Sequence, residues 1–239
     1  KEVWLPINEL GDKEGLKFEN GNILMPQEFK DAYRKGIEEG WLATACKPEH
    51  GGMGTPTFFS SVTWAEFGTS ACMALSVLPA LSIGVYEVLT SNGRQDLVDY
   101  FAPSLASGEW AGTMCLTEPH AGTDLGIITT RAEPEDDGTY RISGTKIFIT
   151  YGEHDMTDNI VHLVLAKTPG APEGTRGISL FLVPKYLPAE WESGGLEGVS
   201  HDLVPEHNGV TCSGSEEKMG LHASPTCVMN FDDSVGWLI

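Results

Sequence analysis

The spacing of apolar residues changes character once along this chain, near Gly112, and that change limits the fold more than any other feature. Before it, apolar side chains recur at helical intervals. Pro26 opens a segment in which Phe29, Tyr33 and Ile37 share one helix face, with Gly40 as its stop. The glycines of Lys47-Pro48-Glu49-His50-Gly51-Gly52-Met53-Gly54 then predict a loop. Helices follow over 57–67 and 71–90, the second closed by Asn92-Gly93. A shorter one over 95–106 sets Leu97, Phe101 and Leu105 on one side, with Pro103 marking a kink or an early end.

Beyond Gly112 the pattern is that of strands. Met114–Thr117 is short and apolar, and Tyr140–Ser143 alternates with period two after an Asp137-Gly138 hairpin signal. Segments 146–150, 160–167, 178–183 and 227–231 are rich in β-branched or aromatic residues. The polar, glycine-rich stretch 186–214 reads as a long loop or insertion. Helices first and strands second predict an α+β fold or two domains, not a βαβ nucleotide fold. The expected units are 1–112, helical, and 113–239, built of strands.

Charge narrows the partners. Thirty-four acidic residues against fifteen basic ones give a net charge of −19, which argues against a nucleic-acid partner. A polyanionic ligand would need local donors here, because the overall field repels it. No apolar run long enough to span a bilayer stands out, and Lys1–Pro6 does not read as a signal peptide. Five cysteines without a CxxC suggest buried thiols, not a disulfide framework or a zinc site, and a cytoplasmic setting is expected. The apolar ending Gly236-Trp237-Leu238-Ile239 is read as a cut inside a longer protein.

The segment richest in chemistry is Met114-Cys115-Leu116-Thr117-Glu118-Pro119-His120-Ala121-Gly122-Thr123-Asp124-Leu125-Gly126. It is a strand running into a turn of small and hydroxyl residues. Its N–H groups and the Thr117 and Thr123 hydroxyls suit the polar edge of a flat ligand or a phosphate. Gly122 permits close approach of a ligand to the backbone. On these grounds alone the segment is a ligand-binding turn or a self-satisfied strand-to-loop connection.

The run Cys-Leu-Thr-Glu-x-x-Ala-Gly-Thr-Asp, with Lys146-Ile147-Phe148-Ile149-Thr150 at a suitable distance, resembles the signature of the acyl-CoA dehydrogenase family. Pro48–Gly54 and the Asp137-Gly138 hairpin match in the family's order, so the resemblance covers most of residues 25–185. It implies an all-helical N-terminal domain, then an antiparallel β-barrel-like middle domain, with the C-terminal helical bundle absent. It implies FAD as cofactor. Met114, Cys115, Leu116 and Thr117 would lie along the flavin ring, with Gly122 and Thr123 near the FAD phosphates. Thr123 would also touch the acyl-CoA substrate. Phe148, Ile149 and Thr150 would flank the ring, Phe148 packing on it and Thr150 bonding near its reactive nitrogen. Glu118 and Asp124 read as structural, bonding local N–H groups.

Some residues depart from the family pattern. His120 stands where many members have Gly, Ile127 where a small residue is preferred, and Phe148 where Trp is common. Tyr151 follows Thr150 where Asn or Ser is frequent. Glu118-Pro119-His120, Gly152-Glu153-His154-Asp155 and Lys218–Cys227 are similar to larger bacterial members, among them the 3-methylmercaptopropionyl-CoA dehydrogenases.

The family reaction removes an α-proton with a carboxylate base while a β-hydrogen leaves as hydride. The resemblance puts that Glu in a C-terminal domain, so no catalytic residue is expected within this chain and the chain alone is expected to be inactive. An electron-transfer flavoprotein or similar acceptor, and a dimer or tetramer of the full-length protein, are likewise implied. The competing readings are a free-standing flavin- or CoA-ester-binding domain, and an acyl-CoA oxidase or flavin monooxygenase of the same fold. His201, His207, His222, Cys212 and Cys227 match no common metal spacing, so no metal is expected. His154-Asp155 reads as a surface turn rather than a catalytic pair, and Glu133–Asp137 as a solvated hairpin end.

Overall fold

The computed structural model describes residues 1–188, 195–200 and 206–239. Helix α1 (Trp4–Glu14) leads into a hairpin of β1 (Lys17–Glu19) and β2 (Asn22–Leu24). Asn20 and Gly21 turn it with φ of 52° and 83°, the left-handed pair that a two-residue turn requires. The N-terminal part is therefore not all helical, contrary to expectation. The strands are only three residues each, too short for alternation to reveal.

Helix α2 (Gln27–Glu38) starts after Pro26 and buries Phe29, Ala32 and Tyr33. It is followed by α3 (Thr57–Ser70), α4 (Met73–Asn92) and α5 (Gln95–Ser107), the last continuing past Pro103 without an early end. Helix α4 corrects the reading of apolar runs. Its 20 residues, at a mean hydropathy of 1.6, are long and apolar enough to cross a membrane by length and composition. Half of that window is buried within this fold, including Leu75, Leu78, Val85 and Leu89.

The sheet opens with β3 (Trp110–Cys115), which lies directly on α4. Gly112 makes that possible: a Cβ there would come 2.7 Å from Val85, and its N–H donates to the Ser82 hydroxyl at 3.0 Å. Then come β4 (Arg131–Pro134), β5 (Tyr140–Thr150), β6 (Asn159–Lys167), β7 (Ile178–Pro184), β8 (Tyr186–Leu187), β9 (Glu206–His207), β10 (Val210–Ser215) and β11 (Thr226–Leu238). Seven of these form one sheet in the order β10-β11-β5-β4-β6-β3, with β7 paired to both β11 and β6. Strands β8 and β9 pair separately within the stretch expected to be a loop. The rest of that expectation, over 189–194 and 201–205, lies outside the described residues.

The antiparallel, barrel-like expectation is corrected here. The sheet is mixed, with β6 parallel to β3 and, at Arg131–Lys167, to β4. Among the described residues β10 and β3 each pair with one other strand, so the sheet keeps open edges and is not a barrel. The cause is connectivity. β3 is separated from β6 by the motif loop and a hairpin, and parallel pairing follows from such a crossover, which no tight turn can make. Helices and sheet share their apolar interior: Phe29, Tyr33 and Leu75 belong to one cluster with Ile149, Val164 and Phe231. A second cluster joins Val85, Leu89 and Phe101 to Val161 and Trp237.

Candidate functional site

Strand β3 alternates. Thr113 and Cys115 point into the core, while Met114 is 36% exposed. Past Cys115 the chain makes a tight turn closed by paired bonds between Glu118 and Ala121, at 2.9 and 3.0 Å. Gly122 and Thr123 leave that turn exposed, and Asp124 accepts the Gly126 N–H at 2.9 Å. No hydrogen bond engages the Thr117 or Thr123 hydroxyl among the described residues.

Beneath the turn sits a buried charge network. Glu118 is 2% exposed and accepts five hydrogen bonds: from the N–H and hydroxyl of Thr129 (2.7 and 2.9 Å), those of Thr130 (3.0 and 2.5 Å), and Lys146 Nζ (2.9 Å). Burial alone would push the carboxyl up. The Thr130 hydroxyl, the Thr129 N–H, Lys146 and the Thr130 N–H outweigh it and hold the pKa down to about 2. Lys146, itself fully buried, also donates to the Leu116 carbonyl at 3.2 Å, and burial pushes its pKa down. The Ile147 N–H donates to the Thr117 carbonyl at 2.8 Å. Two segments nearly thirty residues apart are thus locked side by side.

Strand β5 bulges where it matters. Cys227 and Met229 of β11, two residues apart, face Ile149 and Lys146, three apart. The extra residue lies at Ile147–Phe148 and lets Lys146 and Ile149 both turn inward. Phe148 is left 57% exposed at a φ of 59°, which is uncommon for a bulky residue and costs about 1–3 kcal/mol. Thr150 follows with its hydroxyl unengaged among the described residues. Tyr151, also at positive φ, is fully buried and donates from its hydroxyl to the Ala74 carbonyl at 2.6 Å, tying the end of β5 to the start of α4.

The expected site residues therefore separate into two groups. Met114, Leu116, Thr117, Gly122, Thr123, Phe148 and Thr150 all have exposed or half-exposed positions. Cys115 and Ile149 turn their side chains into the core, so only their backbone is available to a ligand. The exposed set, with free hydroxyls beside two outward apolar side chains, fits a flat ring with a polar edge. Sequence reasoning missed the Glu118–Lys146 pair. Its signal was a lone lysine at the head of an otherwise apolar strand, facing a glutamate already taken as structural.

The Cys115 thiol lies 3.6 Å from the Thr113 hydroxyl and 3.7 Å from His162 Nδ1, and burial pushes it up to about 12. His162 is held down to about 3 by burial, so it is a neutral ring; Nδ1 bonds the Thr113 hydroxyl at 2.7 Å.

The expectation of a surface turn at His154 is corrected. The ring is buried and held down to about 3, while Asp155 turns away to Lys30 and to the Met25 N–H at 2.9 Å. The five cysteines are free and buried. Residues Glu133–Asp137 form an exposed hairpin end. Among the described residues no cluster of three His, Cys, Asp or Glu side chains is placed to hold a metal; His201 lies outside them.

Comparison with known proteins follows the same division. Residues 17–109 match the acyl-CoA dehydrogenase N-terminal domain, and residues 113–234 match the acyl-CoA dehydrogenase middle domain. The chain is 44% identical over 238 residues to the 3-methylmercaptopropionyl-CoA dehydrogenase of Ruegeria pomeroyi, covering 100% of this chain and 39% of that protein. Among solved structures, the fold resembles one described as the electron transferring flavoprotein of Acidaminococcus fermentans (TM-score 0.74, 25% identity, 98% of this chain and 52% of that one). It also resembles an acyl-CoA dehydrogenase complexed with FAD from Bacillus anthracis (TM-score 0.70, 24% identity, 98% of this chain and 33% of that one). Two family regions, matched in order across the helical and strand halves, account for nearly all of the sequence, and the chain belongs to the acyl-CoA dehydrogenase family.

Proposed function

We propose that this chain supplies the flavin- and substrate-facing surface of an FAD-dependent acyl-CoA dehydrogenase, one that carries out α,β-dehydrogenation of an acyl-CoA thioester. The observation that carries the reading is the outward face made where the Ile147–Phe148 bulge meets Thr117. Phe148 and Met114 offer apolar contact to a flat ring. The unengaged hydroxyls of Thr117 and Thr150 reach its polar edge, and Gly122 and Thr123 lie open for phosphates. Cys115, Leu116 and Ile149 take part through backbone groups. Bound there, FAD would accept the hydride of the family reaction. Thr123 extends the same surface toward the CoA thioester.

In this proposal residues 1–112 and 113–239 are two units that meet at β3. The chain spans less than half the length of the curated relative it matches, and the base lies outside it. The motif's own carboxylates are unsuited to that role: Glu118 is buried under five donors with a pKa of about 2, and Asp124 is turned to its own loop. An electron-transferring flavoprotein as acceptor, a dimeric or tetrameric full-length protein and a cytoplasmic setting complete the proposal. Its test is turnover of short- and medium-chain acyl-CoAs with an artificial electron acceptor. The 239-residue chain is expected to be silent. Activity of this chain alone would place the base within it and overturn the assignment.

A further inference from the structure

Helix α1 ends against the connection 216–225 between β10 and β11, and one side chain joins the two. Gly11 lets the helix come close: a Cβ there would meet Phe29 at 2.5 Å and Ala223 at 3.1 Å. The residue before Ala223 is His222. Its backbone N–H donates to the Asp12 carboxylate at 3.1 Å. Its ring spans two carbonyl oxygens, with Nδ1 2.8 Å from that of Asp12 and Nε2 2.9 Å from that of Lys218.

A carbonyl oxygen can only accept. A neutral imidazole has one N–H and one lone pair, so it satisfies one of these contacts and turns a lone pair on the other. The imidazolium has an N–H on each nitrogen and satisfies both. The surroundings favour the same form. Asp12 lies in the last turn of α1, where helix carbonyls run out of N–H partners and carry the negative end of the dipole. Its carboxylate is 3.9 Å from Nδ1. Lys13 of the same turn is paired with Glu9. The other charged groups about the ring are Lys218, Glu216 and Glu217, which share with it a concavity of about 450 Å³. The Lys218 ammonium opposes a second cation but is turned to the Ser224 carbonyl. The bond to the Asp12 carbonyl weighs most. With the Lys218 carbonyl and the Asp12 charge it outweighs desolvation and raises the ring's pKa above its ordinary 6.5. The side chain is 43% exposed, so the proton exchanges with solvent.

We propose that His222 is a proton-operated clasp: as the imidazolium it holds the end of α1 on the β10–β11 connection, and as the neutral ring it lets that contact loosen. The same connection accepts the Tyr151 N–H at the Pro225 carbonyl, 2.9 Å away, so the clasp links α1 to the end of β5. The sign follows from the pairing. A ring whose pKa rises on folding contributes its full stabilisation below 6.5 and loses it as pH climbs through the raised value. The contact therefore weakens on the alkaline side of neutrality.

The test is an NMR titration of the 239-residue chain labelled at its histidine nitrogens, with the His222 signal assigned by its loss in His222→Gln. Both ring nitrogens are expected to carry protons at pH 6, and the midpoint is expected above 6.5. Hydrogen exchange of the α1 amides, corrected for the intrinsic rate, should quicken several-fold between pH 6 and pH 9. His222→Arg, whose charge does not titrate in that range, should abolish the increase. His222→Gln, which carries no charge, should exchange fast at both ends. A midpoint at or below 6.5, or a ring with a single N–H at pH 6, overturns the clasp. So does the same pH response of α1 in the wild type and both variants. The ring titration is read in the unmutated chain, so it decides the matter even where a variant fails to fold.

Discussion

Replacing Lys146 by methionine removes the buried ammonium paired with a carboxylate that is 2% exposed, leaving only the exposed His120 ring, 3.7 Å away, as a cationic partner when protonated. Glu118 would keep its four bonds to Thr129 and Thr130 but lose the 2.9 Å ion pair. Breaking one side of a buried pair costs about 3–5 kcal/mol, because the remaining charge has no water to turn to. Glu118→Gln leaves the fully buried Lys146 ammonium without its carboxylate, with the Leu116 carbonyl as its remaining partner, and is expected to cost a similar amount, about 3–5 kcal/mol. In the double variant the two losses should not add, since each single change already spoils the same contact.

The pair also sets an acid limit. The fold holds the carboxylate, not the acid, so Glu118's contribution is whole above its ordinary value of 4.5 and drains away as pH falls toward about 2. Urea unfolding of the three variants and the wild type, followed at pH 7 and stepwise from pH 5 to 2, measures both effects. Glu118→Gln should flatten the acid limb. The reasoning is refuted if Lys146→Met lies within about 0.5 kcal/mol of wild type, the usual range of an inert surface change. It is equally refuted if the acid limb keeps its slope in Glu118→Gln.

Two further outcomes test the local geometry. Phe148→Gly should relieve the positive φ and leave stability unchanged or slightly raised, while weakening flavin binding through loss of the exposed ring; thermal melts and flavin fluorescence read the two separately, and a large loss of stability would contradict the bulge account. Tyr151→Phe deletes the 2.6 Å bond to the Ala74 carbonyl, which stays within helix α4, with an expected loss of about 0.5–1.5 kcal/mol in denaturant unfolding; an unchanged midpoint would mean that β5 is not tied to α4 through that hydroxyl.

Much of the fold was legible because it is written locally. Phe29, Tyr33 and Ile37 gave α2 its face, Leu97, Phe101 and Leu105 gave α5 its face, and Asp137-Gly138 marked the turn between β4 and β5. What escaped was pairing between distant segments. Nothing near β3 or β6 announces that they run parallel, and the bulge at Ile147–Phe148 exists only as a mismatch with Cys227 and Met229. The β1–β2 hairpin was hidden by its length, although Asn20-Gly21 is a strong turn pair. Within the candidate site, residue types suggested which positions meet a ligand. They did not show that Cys115 and Ile149 face inward, because a strand's inward side is fixed by register, not by composition.

The most direct measurement is a flavin titration of the purified chain, read by visible absorbance and fluorescence, with Thr117→Ala and Thr150→Ala beside the wild type. The account predicts a shifted, structured flavin spectrum with a dissociation constant of about micromolar or tighter, weakened about tenfold by either substitution. Failure to bind, or binding that neither substitution disturbs, would contradict the claim that the face between Thr117 and Phe148 holds the flavin ring.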